Sequence, residues 1–262
     1  MNSSCRYCAK LWLLCALLIT TASAQVDQTQ SDEIKNSVKR IQSGKFDVVD
    51  INRVARAGAV QAIPSLKGQF VHGEDAYIKT AVASALLRLG DKQQIYWDYL
   101  ADQARRAIES DAPFPFRFDA QGHMIPRQLA PEFVAWAKAR HVSPEHASAA
   151  QLYEAPSAVL VLAITADPRG EPLLRSALLS RNYFIENQGA RGLAILQDKE
   201  SIPAIIEACD KAPLGMAALI ARSLAVFDDS RARSALEKFI PDRNQLELLR
   251  KGVREHGTDI LF

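Results

Sequence analysis

Three stretches decide the fold: Ile78-Lys79-Thr80-Ala81-Val82-Ala83-Ser84-Ala85-Leu86-Leu87-Arg88-Leu89-Gly90-Asp91, then Ile185 to Asp198 (IENQGARGLAILQD), then Met216 to Asp229 (MAALIARSLAVFDD). Aligned on their terminal aspartates, they superpose Ala83, Ala190 and Ala221, then Leu86, Leu193 and Leu224, then Leu89, Leu196 and Phe227. Small and large apolar residues recurring at this spacing line one face of a helix, so each stretch predicts a helix ending at its aspartate. A proline precedes each, at Pro64, Pro172 and Pro203, where it suits the first turn of a preceding helix because its missing N–H would find no partner there. The last two copies are 31 residues apart in both the prolines and the aspartates. A repeated helix pair is the unit, and only neighbouring pairs can cover its apolar face.

The pattern Asp75-x-x-Ile78-Lys79-x-x-x-Ala83-x-Ala85-Leu86-x-x-Leu89-Gly90-Asp91 resembles the second helix of a HEAT repeat, in the short form named after phycobilisome-lyase subunits. The third copy has Asn182 and Glu186 where the first has Asp75 and Lys79, and the fourth has Pro213 and Ala217. The resemblance implies an all-α fold, an α-solenoid of stacked antiparallel helix pairs. Its units read as Ala59 to Asp91, a degenerate unit ending near Asp167, Pro168 to Asp198, Lys199 to Asp229, and a terminal part from Ser230. In the degenerate unit Leu162 and Asp167 keep the five-residue relation of Leu193 and Asp198.

Outward from the repeats, residues 25–58 read as linker and capping helices. Ile34, Val38 and Ile41 share one face of a first helix, and Asp47 is placed to cap a second that Gly58 stops. Residues 59–262 form the repeat domain. Before residue 25, Arg6 and Lys10 precede the apolar run Leu11 to Ile19, and Ala22-Ser23-Ala24 supplies a small-residue cleavage site. That order is a secretory signal peptide over residues 1–24, too short in its apolar part for the roughly 20 residues of a spanning helix. The expectation is export to the periplasm or beyond, with no membrane span after cleavage. Cleavage would discard Cys5, Cys8 and Cys15 and leave Cys209, at helical spacing from Ile202, Ile205 and Ile206, as a small buried hydrophobe.

Without Arg6 and Lys10 the chain carries 30 cations against 30 acids, which excludes a broadly basic nucleic-acid binder. Residues 109–128 break the helical pattern. Phe114, Phe116 and Phe118 alternate, Asp119-Ala120-Gln121-Gly122 supplies turn chemistry, and His123-Met124-Ile125 follows, so a β-hairpin inserted between helices is expected. Two roles remain open for its rings: a cover closing the core, or an aromatic binding surface shared with Tyr96, Trp97, Tyr99 and Trp136 nearby in the sequence. A second candidate is the pair Arg191 and Arg222, each one residue after the aligned alanines. On the inner face of HEAT-like repeats they would offer two guanidinium forks to carboxylates of a partner, or else pair with acidic neighbours such as Glu186.

No catalytic group stands out. None of the five histidines precedes a glutamate, so the iron-holding His-Glu pairs of HEAT-type deoxyhypusine hydroxylases are missing. His141, Glu145 and His146 do not have metalloprotease spacing, and Pro144 interrupts the helix that would align them, so neither metal nor other cofactor is expected. The reading is a non-catalytic exported scaffold for a protein partner whose identity the sequence does not reveal. The alternatives are a binder of a small ligand or cell-envelope fragment, and a bilin-lyase-like enzyme subunit. A scaffold calls for an extended, weakly concave groove, a ligand binder for one deep pocket lined by the aromatic insert.

Overall fold

The computed structural model describes residues 30–261; the expected signal peptide, with Cys5, Cys8 and Cys15, lies outside the described residues. Helix accounts for 74% and strand for 4%, which makes the fold all-α with a small hairpin. The chain divides into two compact units, one through Asp91 and one from Lys92.

In the first unit, α1 (30–42) and α2 (Val48–Arg56) join α3 (Ile63–His72) and α4 (Ala76–Arg88). Val38 and Ile41 are buried on α1. Asp47 caps α2 in a capping box with Asp50, and Gly58 follows the helix with φ +63°. The buried Asp50 carboxylate also binds Ser37 Oγ at 2.8 Å and Arg40 Nε at 2.7 Å, which ties α1 to α2. The Arg40 hydrogen bond holds the Asp50 carboxyl below its ordinary range. Helix α4 packs on α3 and on α2, so the first repeat and the N-terminal helices share one core.

The second unit holds α5 (Gln94–Glu109), β1 (Phe116–Phe118), β2 (Met124–Leu129), α6 (Pro131–Ala139), α7 (Pro144–Ala149) and α8 (Ala155–Ala163). Then come α9 (Glu171–Ala177), α10 (Tyr183–Ile195), α11 (Ile202–Lys211), α12 (Leu214–Ala221), α13 (Ser230–Phe239) and α14 (Arg243–His256). Helix α10 is the centre, packing on α8, α9 and α12, while α11 packs on α12 and α12 on α13. Ser143 caps α7 and its hydroxyl donates to Glu145, so the segment around His141 and His146 is an ordinary helix start. Cys209 is buried on α11, and burial pushes its thiol up to about 12.

The aligned positions are buried alike. Ala83, Ala190 and Ala221 are all fully buried, as are Leu86, Leu193 and Leu224. Asp75, Asn182 and Pro213, different in type, are all the N-cap residues of their helices, so the departures keep the position and change only the cap. Helices α4 and α10 end alike. The N–H of Asp91 reaches Leu86 O at 2.9 Å and that of Asp198 reaches Leu193 O at 3.0 Å. The preceding Gly90 and Gln197 have φ of +90° and +56°, a Schellman ending in both. Each terminal aspartate then binds a cation from the first helix of its own pair: Lys67 Nζ to Asp91 at 2.9 Å, Arg175 Nη2 to Asp198 at 2.6 Å. Lys67 and Arg175 both stand three residues after the proline of their helix.

Helix α9 can lie close on α10 because two positions of the interface lack side chains. A Cβ at Gly189 would sit 2.8 Å from both Ala177 Cβ and the Leu174 carbonyl oxygen, and one at Gly192 would meet Leu174 Cδ2 at 2.5 Å. Gly189→Ala should therefore cost about 1–3 kcal/mol in urea unfolding by forcing α9 and α10 apart. Gly68→Ala, with open space around its α3 position, should gain about 0.5–1 kcal/mol by the same measurement.

Candidate functional site

The hairpin forms where the alternating phenylalanines lie. Phe116 faces Leu129 and Phe118 faces Met124 in antiparallel register, with an irregularity between them. Its turn is built by Asp119, whose carboxylate accepts from the N–H groups of His123 at 2.8 Å and Gln121 at 2.9 Å. Those bonds, the His123 one first, hold its carboxyl below the ordinary range. Gly122 closes the turn with φ +80°, and a Cβ there would approach Leu214 N to 2.9 Å, so the hairpin tip rests on the start of α12. At the other end Phe114 N–H donates to Arg181 O at 2.9 Å. The insert is thus pinned at both ends, to the α9–α10 connection and to α12.

Between the hairpin, α10 and α11 lies a cavity of about 800 Å³. Its aromatic wall divides the work. Phe114 is buried and serves as a hub, its ring 5.2 Å from Phe118 and 5.3 Å from both Tyr183 and Phe184. Phe116 and Phe118 are half-buried and line the cavity, and Phe118 meets Tyr183 edge-on at 5.8 Å. The three rings therefore differ in place: Phe114 belongs to the core, while Phe116 and Phe118 border the cavity. Tyr96 and Trp97 do not join them. They are buried in the core, and Trp136 stacks on Phe133 and donates its indole N–H to Ser110 O at 3.3 Å.

The floor carries the group that the sequence reading assigned elsewhere. Glu186 follows Tyr183 by three residues, hence on the same face of α10, and is only 8% exposed. Its Oε2 is fully buried and accepts no hydrogen bond, and it pairs with neither Arg191 nor Arg222. Loss of water outweighs the attraction of Lys211 and pushes its carboxyl up to about 8. The folded chain then holds an extra proton between the ordinary 4.5 and about 8, so this group's contribution to stability declines as pH rises through that window and levels off above it. Tyr183, flanked by Glu186 and Glu132, is raised by burial first and by both carboxyls after it.

The cations of the rim are mostly engaged. Arg175 binds Glu171 at 2.9 Å as well as Asp198, Lys211 binds Glu207 at 2.5 Å, and Arg181 lies 3.6 Å from Asp111. Among the described residues Arg117, Glu132 and Glu186 line the cavity with no ion pair.

Arg191 and Arg222 come together at a second cavity of about 370 Å³, with Leu219, Ile240 and Leu248 in its wall. Arg191 is half-buried and donates to Gln188 Oε1 at 3.1 Å, while Arg222 is exposed at the end of α12. Burial and then the nearby Arg222 charge lower the Arg191 pKa. Asn187, 3% exposed, lines the same cavity with its Oδ1 unbonded. Among the described residues no group of three His, Cys, Asp or Glu is placed to hold a metal ion. No described helix is long and apolar enough to cross a membrane. Comparison with family models, curated proteins and solved structures gave no match.

The division between rings has a direct consequence. Phe114→Ala should destabilise the chain by about 3–5 kcal/mol, as for a fully buried aromatic. Phe116→Ala should cost about 1–2 kcal/mol, in keeping with its partial exposure. Chemical denaturation of the two variants compares them, and equal losses would refute the division.

Proposed function

We propose that the chain is an exported, non-catalytic binding protein built on HEAT-like helix pairs, with the cleft beneath the hairpin as its ligand site. The observation that carries this reading is a cavity of about 800 Å³ lined by Phe116 and Phe118 of the insert together with residues of α9, α10 and α11. A volume of about 800 Å³ falls in the range of pockets that enclose small ligands. Its walls are suited to holding a molecule: rings for apolar contact, an ion-paired rim, and an unsatisfied carboxyl to fix orientation. The solenoid arrangement is supported by the equivalent burial of the aligned alanines and leucines and by the matching Schellman ends of α4 and α10. Export is supported by the order of charged, apolar and small residues before Gln25.

A second reading, a scaffold for a protein partner, is favoured by one observation: Arg191 and Arg222 share a cavity, as two guanidiniums receiving carboxylates would. The two readings differ in what survives mutation. Native mass spectrometry of the chain isolated from its own host should detect a bound small molecule that Phe116→Ala/Phe118→Ala loses and Arg191→Glu/Arg222→Glu retains. Retention by the first variant and loss by the second would favour the arginine site instead.

A further inference from the structure

Among the described residues, the cleft's unpaired side chains are two carboxyls, Glu186 and Glu132, against one guanidinium, Arg117. Three of its four cations, Arg175, Arg181 and Lys211, already face carboxylates, whereas Glu186 and Glu132 line the cavity without an ion pair among the described residues. Glu186 lines the cavity beside Tyr183 from α10, and the exposed Glu132 lines it from α6. Tyr183 in turn meets Phe114 at 5.3 Å and Phe118 at 5.8 Å. Aromatic faces attract cations through their quadrupoles, and a carboxylate behind them supplies the countercharge. A buried acceptor with no donor is costly, and native structures retain one only where something else satisfies it. Glu186, whose Oε2 is such an acceptor, lines a cavity of ligand size.

Resting on the reading of this cleft as a ligand site, we infer that its ligand is a small molecule with an apolar or aromatic body and a cationic amine, the amine lodged among Phe118, Tyr183 and Glu186. An anionic ligand fits less well, since Arg117 is the one lining cation without an ion partner among the described residues and it is exposed on the hairpin. An amine ligand would engage Glu186 in its ionised form, and the cation would replace the water that burial removed. Affinity must then rise with pH as that carboxyl ionises, since only the ionised fraction is competent to bind.

The other groups around Glu186 do not mimic this. From its own helix comes Tyr183, raised by burial; from α11 come Lys211, raised by its bond to Glu207, and Cys209, pushed up to about 12. None of these three changes charge between pH 6 and 9. Glu132 lines the cavity from α6, Glu207 and Arg175 line it from α11 and α9, and Arg117 lines it from the hairpin.

The test uses the full-length chain and three probes of similar shape: benzamidinium, benzyl alcohol and benzoate. The amidinium keeps its N–H donors and its charge throughout pH 6 to 9, so any pH dependence belongs to the protein. Calorimetry and the shifts of the cleft aromatic NMR signals should show the cation bound most tightly, with affinity rising at least about tenfold from pH 6 to pH 9. Glu186→Gln should lower its affinity about tenfold and flatten the profile, leaving benzyl alcohol unaffected. The charge and pH series on the unaltered chain decide the matter even if that variant folds poorly. Benzoate or benzyl alcohol bound as well as the cation, or a flat profile for the cation, would overturn the amine and leave the cleft. Absence of binding by all three would overturn the cleft reading together with it.

Discussion

Helix α10 is buried on nearly every side, and the rest of the second unit is arranged to make that possible. From Ile185 to Ala194 only Arg191 escapes full burial, and the run includes Glu186, Asn187 and Gln188. A helix so enclosed needs neighbours all round, and α8, α9 and α12 provide them. Close approach on one side rests on Gly189 and Gly192, where any side chain would strike α9. Its start is fixed by Asn182, completely buried, whose Oδ1 accepts Phe184 N–H at 3.0 Å while its Nδ2 donates to Gln151 O at 2.9 Å. Asparagine here does what aspartate does at the start of α4, and adds a donor that reaches the π-helical turn Ala150–Glu154.

Enclosure makes the polar residues of α10 expensive. Gln188 meets Arg191, but Glu186 and Asn187 each keep a buried oxygen without a partner, and each lines a cavity. Adjacent residues of a helix point in different directions, so the two cavities open on different sides of α10. Glu186 looks toward the hairpin and α11, Asn187 toward α14 and the chain's last described turn. Packing and cost thus sit on the same helix: its apolar positions build the core, and its unsatisfied positions line the two cavities.

Much of the fold was legible because burial repeats. Ala83, Ala190 and Ala221 occupy equivalent sites, and the apolar period survives changes of cap from Asp75 to Asn182 to Pro213. The hairpin was legible too, through alternation and turn chemistry at Asp119 and Gly122. The site was legible only in part. Phe116 and Phe118 line it, but Tyr96 and Trp97, near in sequence, are buried in the core, and Trp136 packs half-buried on Phe133. Glu186 was invisible as a site residue because a glutamate in an amphipathic pattern reads as a solvated counterion. Its burial is a tertiary effect, set by the elements that enclose α10 and not by periodicity within the helix. Tyr183 escapes notice for the same reason, being an ordinary helix residue until Phe114 and Phe118 meet its ring.

The central claim is a carboxyl group held in an aromatic cleft without a partner. Carbon-13 NMR titration of the Glu186 carboxyl, assigned by its disappearance in Glu186→Gln, tests it most directly. The account predicts a titration midpoint near 8, well above the ordinary 4.5 of a glutamate. A midpoint at or below 4.5 would mean that the group is solvated or paired, and would contradict the account.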